Sequence, residues 1–279
     1  MANRFSEALR AVVPAHGADE RAWAEAIEKI ADLVLRRCTW MIANKPHRFT
    51  EVEFYVTNSA HNDPFTHGDE MQHEFARWYH HRTGGEYRGG TYKGLDLAFG
   101  DEHTYAGMLV RGIESTDSPA KLLDGPCVCV DHLLSLVGHP SVPSFVASYD
   151  RDADEKPSSP SYLRVSDAPD LPLFRSARVG LSLKRGATAS RVKFIGAHYR
   201  FLTEPARIKK GRVLLVCAMH ARGASAAAIA ASTGTRLAQV QKYIEQYELG
   251  RSRDPAEFRG DLSADELCQM LGACAARAT

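Results

Sequence analysis

Residues 49–56 read FTEVEFYV, and this octet decides how the chain is built. Aromatic and β-branched side chains alternate with carboxylates, the period-two pattern of a strand whose two faces meet different surroundings. Val52, Phe54 and Val56 fall on one face, and Glu51, Glu53 and Tyr55 on the other. The apolar face predicts a core behind the strand. The polar face, two carboxylates and a phenol, is the candidate for chemistry.

Upstream, Trp23, Ala26, Ile27, Ile30 and Val34 recur at helical spacing between Asp19 and Cys38, with Asp19 placed as the cap. This predicts an amphipathic helix covering a sheet. Downstream, residues 58–64 are turn-rich, and residues 67–81 (HGDEMQHEFARWYHH) read as helical in part. EYRGGTYKGLDLAFG, residues 86–100, reads as two short strands joined by a tight turn. Further strands are expected at Met108–Ile113, Tyr162–Val165, Ala177–Leu183 and Tyr199–Leu202, with a turn at Asp124, Gly125 and Pro126 and an exposed polar loop over Tyr149–Pro160. Short strands among helices predict an α+β fold, a mixed and mostly antiparallel sheet or barrel wrapped by helices. The expected domains are residues 1–215 and a helical module, residues 216–279.

A net charge of +1 over 279 residues excludes a polyanion-coating protein, so any nucleic-acid surface must be local. Apolar runs such as Val213–Met219 are too short to span a bilayer, and the chain opens with Asn3, Arg4 and Glu7 where a signal peptide would be apolar. A cytoplasmic protein without a membrane partner is expected. The six cysteines form no CxxC pair, and no His or Cys spacing completes a zinc motif, so no metal is expected. Cys127 and Cys129 alternate within an apolar run and read as strand packing.

Residues 51–67, EVEFYVTNSAHNDPFTH, resemble the active-site strand and loop of the alkyladenine (3-methyladenine) DNA glycosylases. In that family a glutamate, a tyrosine two residues on and a later histidine form the base pocket; the matching positions are Glu53, Tyr55 and His67. MLVRGIE, residues 108–114, places Arg111 at the family's arginine after a pocket strand, and LLDGPCVCVDHLL, residues 122–134, resembles its Gly-Pro turn and helix. ARVGLSLKRG and YRFLTEP resemble the two closing strands, with Arg178, Val179, Gly180, Arg200 and Phe201 in register. The order is kept from about Phe49 to Pro205.

The resemblance implies a monofunctional DNA glycosylase that needs no cofactor and leaves an abasic site. A base cannot be attacked inside a duplex, so the nucleotide rotates into a pocket. Tyr55 and His67 would stack on it. Glu53 would activate water and face the developing oxocarbenium charge, and Arg111 would orient Glu53 or its water, or hold a phosphate. The plainer readings are a surface strand carboxylate paired with an arginine for Glu53, and a capping or core histidine for His67.

The chain also departs from the family. Where the family has a Tyr-Gly wedge, this chain has Thr91, Tyr92, Lys93 and Gly94. Tyr92 is the wedge candidate, with Tyr87 second, and an ordinary cross-strand aromatic is the alternative. Asp96 lies near the position of an asparagine that rejects the exocyclic amine of guanine. Residues 73–90 (HEFARWYHHRTGGEYRGG) have no counterpart, and Trp78, Tyr79, His80, His81, Arg82 and Arg88 suit base stacking and phosphate contact or an amphipathic lid. If they line the pocket, the base would be a bulky phage base such as glucosylated hydroxymethylcytosine, a defence role; otherwise it would be an alkylated purine, a repair role.

Residues 225–249, SAAAIAASTGTRLAQVQKYIEQYEL, resemble a helix-turn-helix with Ala230 at the crossing, Gly234 in the turn and Ile229, Val240 and Tyr243 in its core. Thr235, Arg236, Gln239, Lys242 and Arg251 would then face DNA; the alternative is a helical hairpin packed on the core or on a second subunit. A different class of function is a non-catalytic helix-turn-helix regulator with a ligand pocket. DNA is the expected partner, and a monomer the default state.

Overall fold

The computed structural model describes residues 4–117, 120–156, 158–166 and 171–277. Asn3, named above, and Pro157, within the expected loop Tyr149–Pro160, lie outside them. The chain divides into two compact units, residues 1–62 with 66–172, and residues 63–65 with 173–279.

The first unit opens with α1 (Phe5–Arg10) and α2 (Glu20–Arg37). α2 is the expected amphipathic helix: the Asp19 carboxylate accepts from the Ala22 amide, and Trp23, Ala26, Ile27, Ile30 and Val34 are all buried. β1 (Cys38–Ile42) turns at Ala43 and Asn44 into β2 (Lys45–Thr57), against which α2 packs. β3 (Phe75–His80), β4 (Arg82–Thr83), β5 (Glu86–Tyr87), β6 (Leu95–Phe99), β7 (Tyr105–Ser115) and β8 (Leu122–Asp124) follow. After α3 (Pro126–Val137) and α4 (Val142–Val146), the unit closes with β9 (Ser161–Val165).

Within this unit the sheet runs β9-β1-β2-β7-β6-β3, with β8 on β7, and every pairing is antiparallel. The α+β class with an antiparallel sheet and flanking helices is as expected. Behind β2 the apolar face packs as read: Phe54 meets Phe99 edge-on at 6.1 Å, and Trp40 lies 5.6 Å from Phe49 and 5.0 Å from Trp78. Each such side chain taken from water contributes roughly 1.5–3 kcal/mol.

The second unit comprises the β10 (Phe174–Ser176) and β11 (Arg200–Leu202) pair and the helices α5 (Ala189–Gly196), α6 (Arg212–Ala221), α7 (Ala226–Thr233), α8 (Leu237–Gly250) and α9 (Ala264–Ala275). Its core joins Ala177, Leu183, Ile195 and Leu214 to Cys217, Tyr247, Cys268 and Leu271. This is why the compact units divide near residue 172 and not at the expected 215: residues 173–215 bury their apolar side chains with the C-terminal helices. Asp63 belongs here because its carboxylate grips the buried Arg178, whose Nη2 donates to Asp63 Oδ1 at 3.2 Å and to the Phe194 carbonyl at 3.0 Å.

Several expectations are corrected. Residues 67–81 are a single 3₁₀ turn (Glu70–His73) and then strand β3, with no α-helix. The tight hairpin sits at Gly84–Gly85 between β4 and β5, while β6 pairs with β3 and β7. Cys127 and Cys129 lie on helix α3, because Pro126 at its first turn starts a helix after Gly125. Ala177–Leu183 is not a strand; the strand there is β10, Phe174–Ser176, just before it.

Candidate functional site

The cross-strand register of the first unit builds the site. Glu53 on β2 and Asp96 on β6 are both opposite Leu109 of β7, and Tyr79 on β3 is opposite Asp96. Residues directly opposite in antiparallel strands share a face, so Glu53, Leu109, Asp96 and Tyr79 form one row. Tyr55 pairs with Gly107, and Arg111 follows Leu109 by two. One sheet face therefore carries Glu51, Glu53, Tyr55, Asp96 and Arg111.

Arg111 is the hub of this face. Its Nε lies 2.6 Å from Glu51 Oε1 and 3.3 Å from Glu53 Oε1, and its Nη1 lies 3.5 Å from Glu53 Oε2. The Tyr55 hydroxyl donates to Glu53 Oε2 at 2.9 Å. A β-bulge at Glu51 shifts the register and brings that carboxylate to the guanidinium. Burial alone would lower the Arg111 pKa, but Glu53 and Glu51 together raise it, so the guanidinium stays charged. Glu53 is 0 % exposed, so its position is interior and not the outer surface.

Gly107 lets side chains approach its backbone closely. A Cβ there would stand 2.5 Å from Asp96 Oδ2 and 2.9 Å from Gln72 Nε2, so the carboxylate and the amide both reach over its backbone. Asp96 is 1 % exposed and its Oδ1 lies 2.6 Å from His81 Nε2. His67 reaches the same cluster from the segment after β2: its ring is 4.4 Å from that of His81 and 6.3 Å from that of Tyr79. One edge of His67 is open to solvent, yet burial of the rest, then the neighbouring His81, pushes it down to about 4. It is neutral near pH 7. Burial and the Asp96 and Asp69 carboxylates raise Tyr79 well above the usual phenol range.

Five residues singled out in the sequence, Glu53, Tyr55, His67, Asp96 and Arg111, thus meet on one face. Sequence reading missed Glu51 as a partner of Arg111, and Gln72 and Gly107 altogether. It placed Tyr79 and His81 only in a stretch of doubtful role. Alternation would have found them had residues 75–81 been read as a strand, since Tyr79 and His81 lie on the opposite face from Trp78 and His80.

The outer candidates stand apart from this cluster. Tyr92, in a 3₁₀ turn (Gly90–Tyr92), is 78 % exposed, and Lys93 is ion-paired with Asp131 of α3. Arg88 donates through Nε to Thr83 Oγ1 at 2.9 Å across the small hairpin. In the second unit, α6, α7 and α8 pack around Val216, Ile229 and Val240, with Ala230 and Tyr243 against them and Gly234 ending α7 at φ +66°. Arg236 is exposed at the start of α8 and Gln239 is half-buried, while Lys242 Nζ is held 2.7 Å from Asp265 Oδ2 of α9. Thr235 accepts a hydrogen bond from the Thr233 hydroxyl at 2.9 Å, and Arg251 stands 3.7 Å from Glu248.

No protein-family model matches the chain. It is similar to an uncharacterized protein of Acanthamoeba polyphaga mimivirus, with 26% identity over 201 residues, 67% of this chain and 89% of that protein. Among the described residues no helix is long and apolar enough to cross a membrane.

Proposed function

We propose that the chain is a monofunctional DNA glycosylase of the alkyladenine type. The observation that carries this reading is the convergence of Glu53, Tyr55, Arg111, Asp96 and His67, drawn from four separate segments, on one polar sheet face where Asp96 lies over Gly107. Glu53 activates the attacking water and faces the cationic sugar; Arg111 and Tyr55 fix its carboxylate. His67, uncharged at neutral pH, and Tyr55 stack on the extruded base. Asp96, an acceptor when ionised, reads an N–H on the base edge.

Tyr92 fills the stack left behind, and its exposure at the end of a turn suits a wedge. Lys93, occupied by Asp131, is not offered as a nucleophile, so hydrolysis leaves an abasic site. Helices α6 to α8 supply a second DNA contact through Arg236 and Gln239. The base is an alkylated purine or a bulky phage base such as glucosylated hydroxymethylcytosine, and an acidic reader at position 96 favours a base that offers an amine.

The complete burial of Glu53 favours a second reading, a helix-turn-helix regulator in which Glu51, Arg111 and Glu53 only tie two strands together. Incubating the protein with duplexes carrying alkylated, deaminated and phage-type bases, followed by alkali, separates the two. Strand breaks at one class of base, lost in Glu53→Gln with DNA affinity kept, are expected; affinity without breaks on any base supports the regulator.

A further inference from the structure

His67, His81 and Asp96 each offer a ligand atom, and all three atoms lie within 4.8 Å of one another. They come from the segment after β2, the residue directly after β3 and the start of β6. His81 Nε2 already sits 2.6 Å from Asp96 Oδ1, and the two imidazoles meet edge to face with an interplanar angle of 80°.

The backbone is shaped to seat two of the three. A Cβ at Gly94 would lie 2.3 Å from His81 Nδ1 and 2.5 Å from its Cε1, so the ring rests directly on the main chain there. The Asp96 carboxylate rests on Gly107 in the same way. Beside it, Gln72 is 0 % exposed and its Nε2 has no hydrogen-bond partner among the described residues. A buried amide donor without an acceptor costs about 1–3 kcal/mol, and an outer donor of this kind is what orients a ligating carboxylate or a metal-bound water. His67, open to solvent on one edge, marks the entry side.

We propose that His67, His81 and Asp96 bind one divalent transition-metal ion. Two imidazoles and one carboxylate suit Zn²⁺, Co²⁺ or Fe²⁺, whereas Mg²⁺ and Ca²⁺ demand mostly oxygen ligands. Zn²⁺ is the best fit, because three protein ligands leave a fourth tetrahedral position for water. The spread of the ligand atoms narrows on binding, and the ion replaces the hydrogen bond between His81 and Asp96. The ion would share His67 and Asp96 with the base pocket of the proposed function and take them from the base, whereas Glu53 and Arg111 are not ligands, so metal binding is tested without reference to base release.

The test uses the full chain, stripped with a chelator and dialysed. Calorimetric titration with Zn²⁺, and visible absorption with Co²⁺, are expected to give one ion per chain and a tetrahedral cobalt spectrum, with no heat from Mg²⁺. His67→Ala and Asp96→Ala each weaken Zn²⁺ binding by about 100-fold or more, and Gln72→Leu by about 10-fold, within the range of outer-shell changes. His67 lies on the surface, so its variant folds even if Asp96→Ala does not. Absence of binding by the wild type, or binding with unchanged affinity by His67→Ala, overturns the proposal. Glu53→Gln keeps the ion while losing base release, so the two readings fail separately.

Discussion

Replacing Arg111 by Met removes the guanidinium and keeps most of the apolar stem, and it leaves Glu51 and Glu53 facing each other in the interior. Arg111 is the partner of both carboxylates, at 2.6 Å and 3.3 Å, and the three side chains are at most 8 % exposed. Removing one partner of a buried ion pair costs about 3–5 kcal/mol, because the remaining charge has lost its water as well as its counter-ion. At roughly 2–4 °C per kcal/mol for a domain of this size, the melting temperature falls by roughly 6–20 °C. All three tryptophans, Trp23, Trp40 and Trp78, are buried in the first unit, so urea unfolding followed by their fluorescence reports this unit. Glu51→Gln added to Arg111→Met recovers at least half of the loss. A cost below about 1 kcal/mol for Arg111→Met, at unchanged urea dependence, refutes the reasoning that this triad is an interior electrostatic hub.

Gly94→Val drives a side chain into the His81 ring and costs about 1–3 kcal/mol by overpacking, measured by the same unfolding assay; a neutral substitution contradicts the close approach. His80 is buried edge-on to Phe145 with its Nε2 3.0 Å from the Tyr149 hydroxyl, and its folded value is pushed down to about 3 by burial, then by His81 and Arg151. A histidine with a depressed folded value stabilises fully above its unfolded value near 6.5, and that contribution is lost as pH falls below it; stability therefore drops between pH 6.5 and 4 by up to about 1.4 kcal/mol per pH unit from this residue, and His80→Phe flattens that slope. Arg236→Ala lowers affinity for duplex DNA and reduces the salt dependence by about one counter-ion, read by fluorescence anisotropy across salt concentrations. Lys242→Ala has a smaller effect because Asp265 already holds that ammonium.

The parts legible in the sequence are those where one periodicity runs unbroken. β2 alternates cleanly, so both of its faces were readable, and α2 repeats at helical spacing behind a cap. β3 was hidden because Ala76 adopts φ 54° and shifts the register between Phe75 and Arg77, which breaks the alternation that would have placed Tyr79 and His81. The stretch 177–183 has branched and apolar residues of strand type, yet Gly180 at φ +83° turns the chain and Leu183 enters a helical core. Tertiary burial there outweighs local propensity. The Glu51 contact and the Asp96 cluster depend on strand order, and strand order is set by pairings far apart in the chain.

The central claim is that Glu53 directs water at a sugar carbon bonded to a base. Mass spectrometry of the free base released from a modified duplex measures that bond directly. Wild-type protein is expected to liberate one modified base stoichiometrically and leave an abasic deoxyribose, and Glu53→Gln to release it at least about 100-fold more slowly while binding the same DNA. Equal rates of release by both proteins contradict the account.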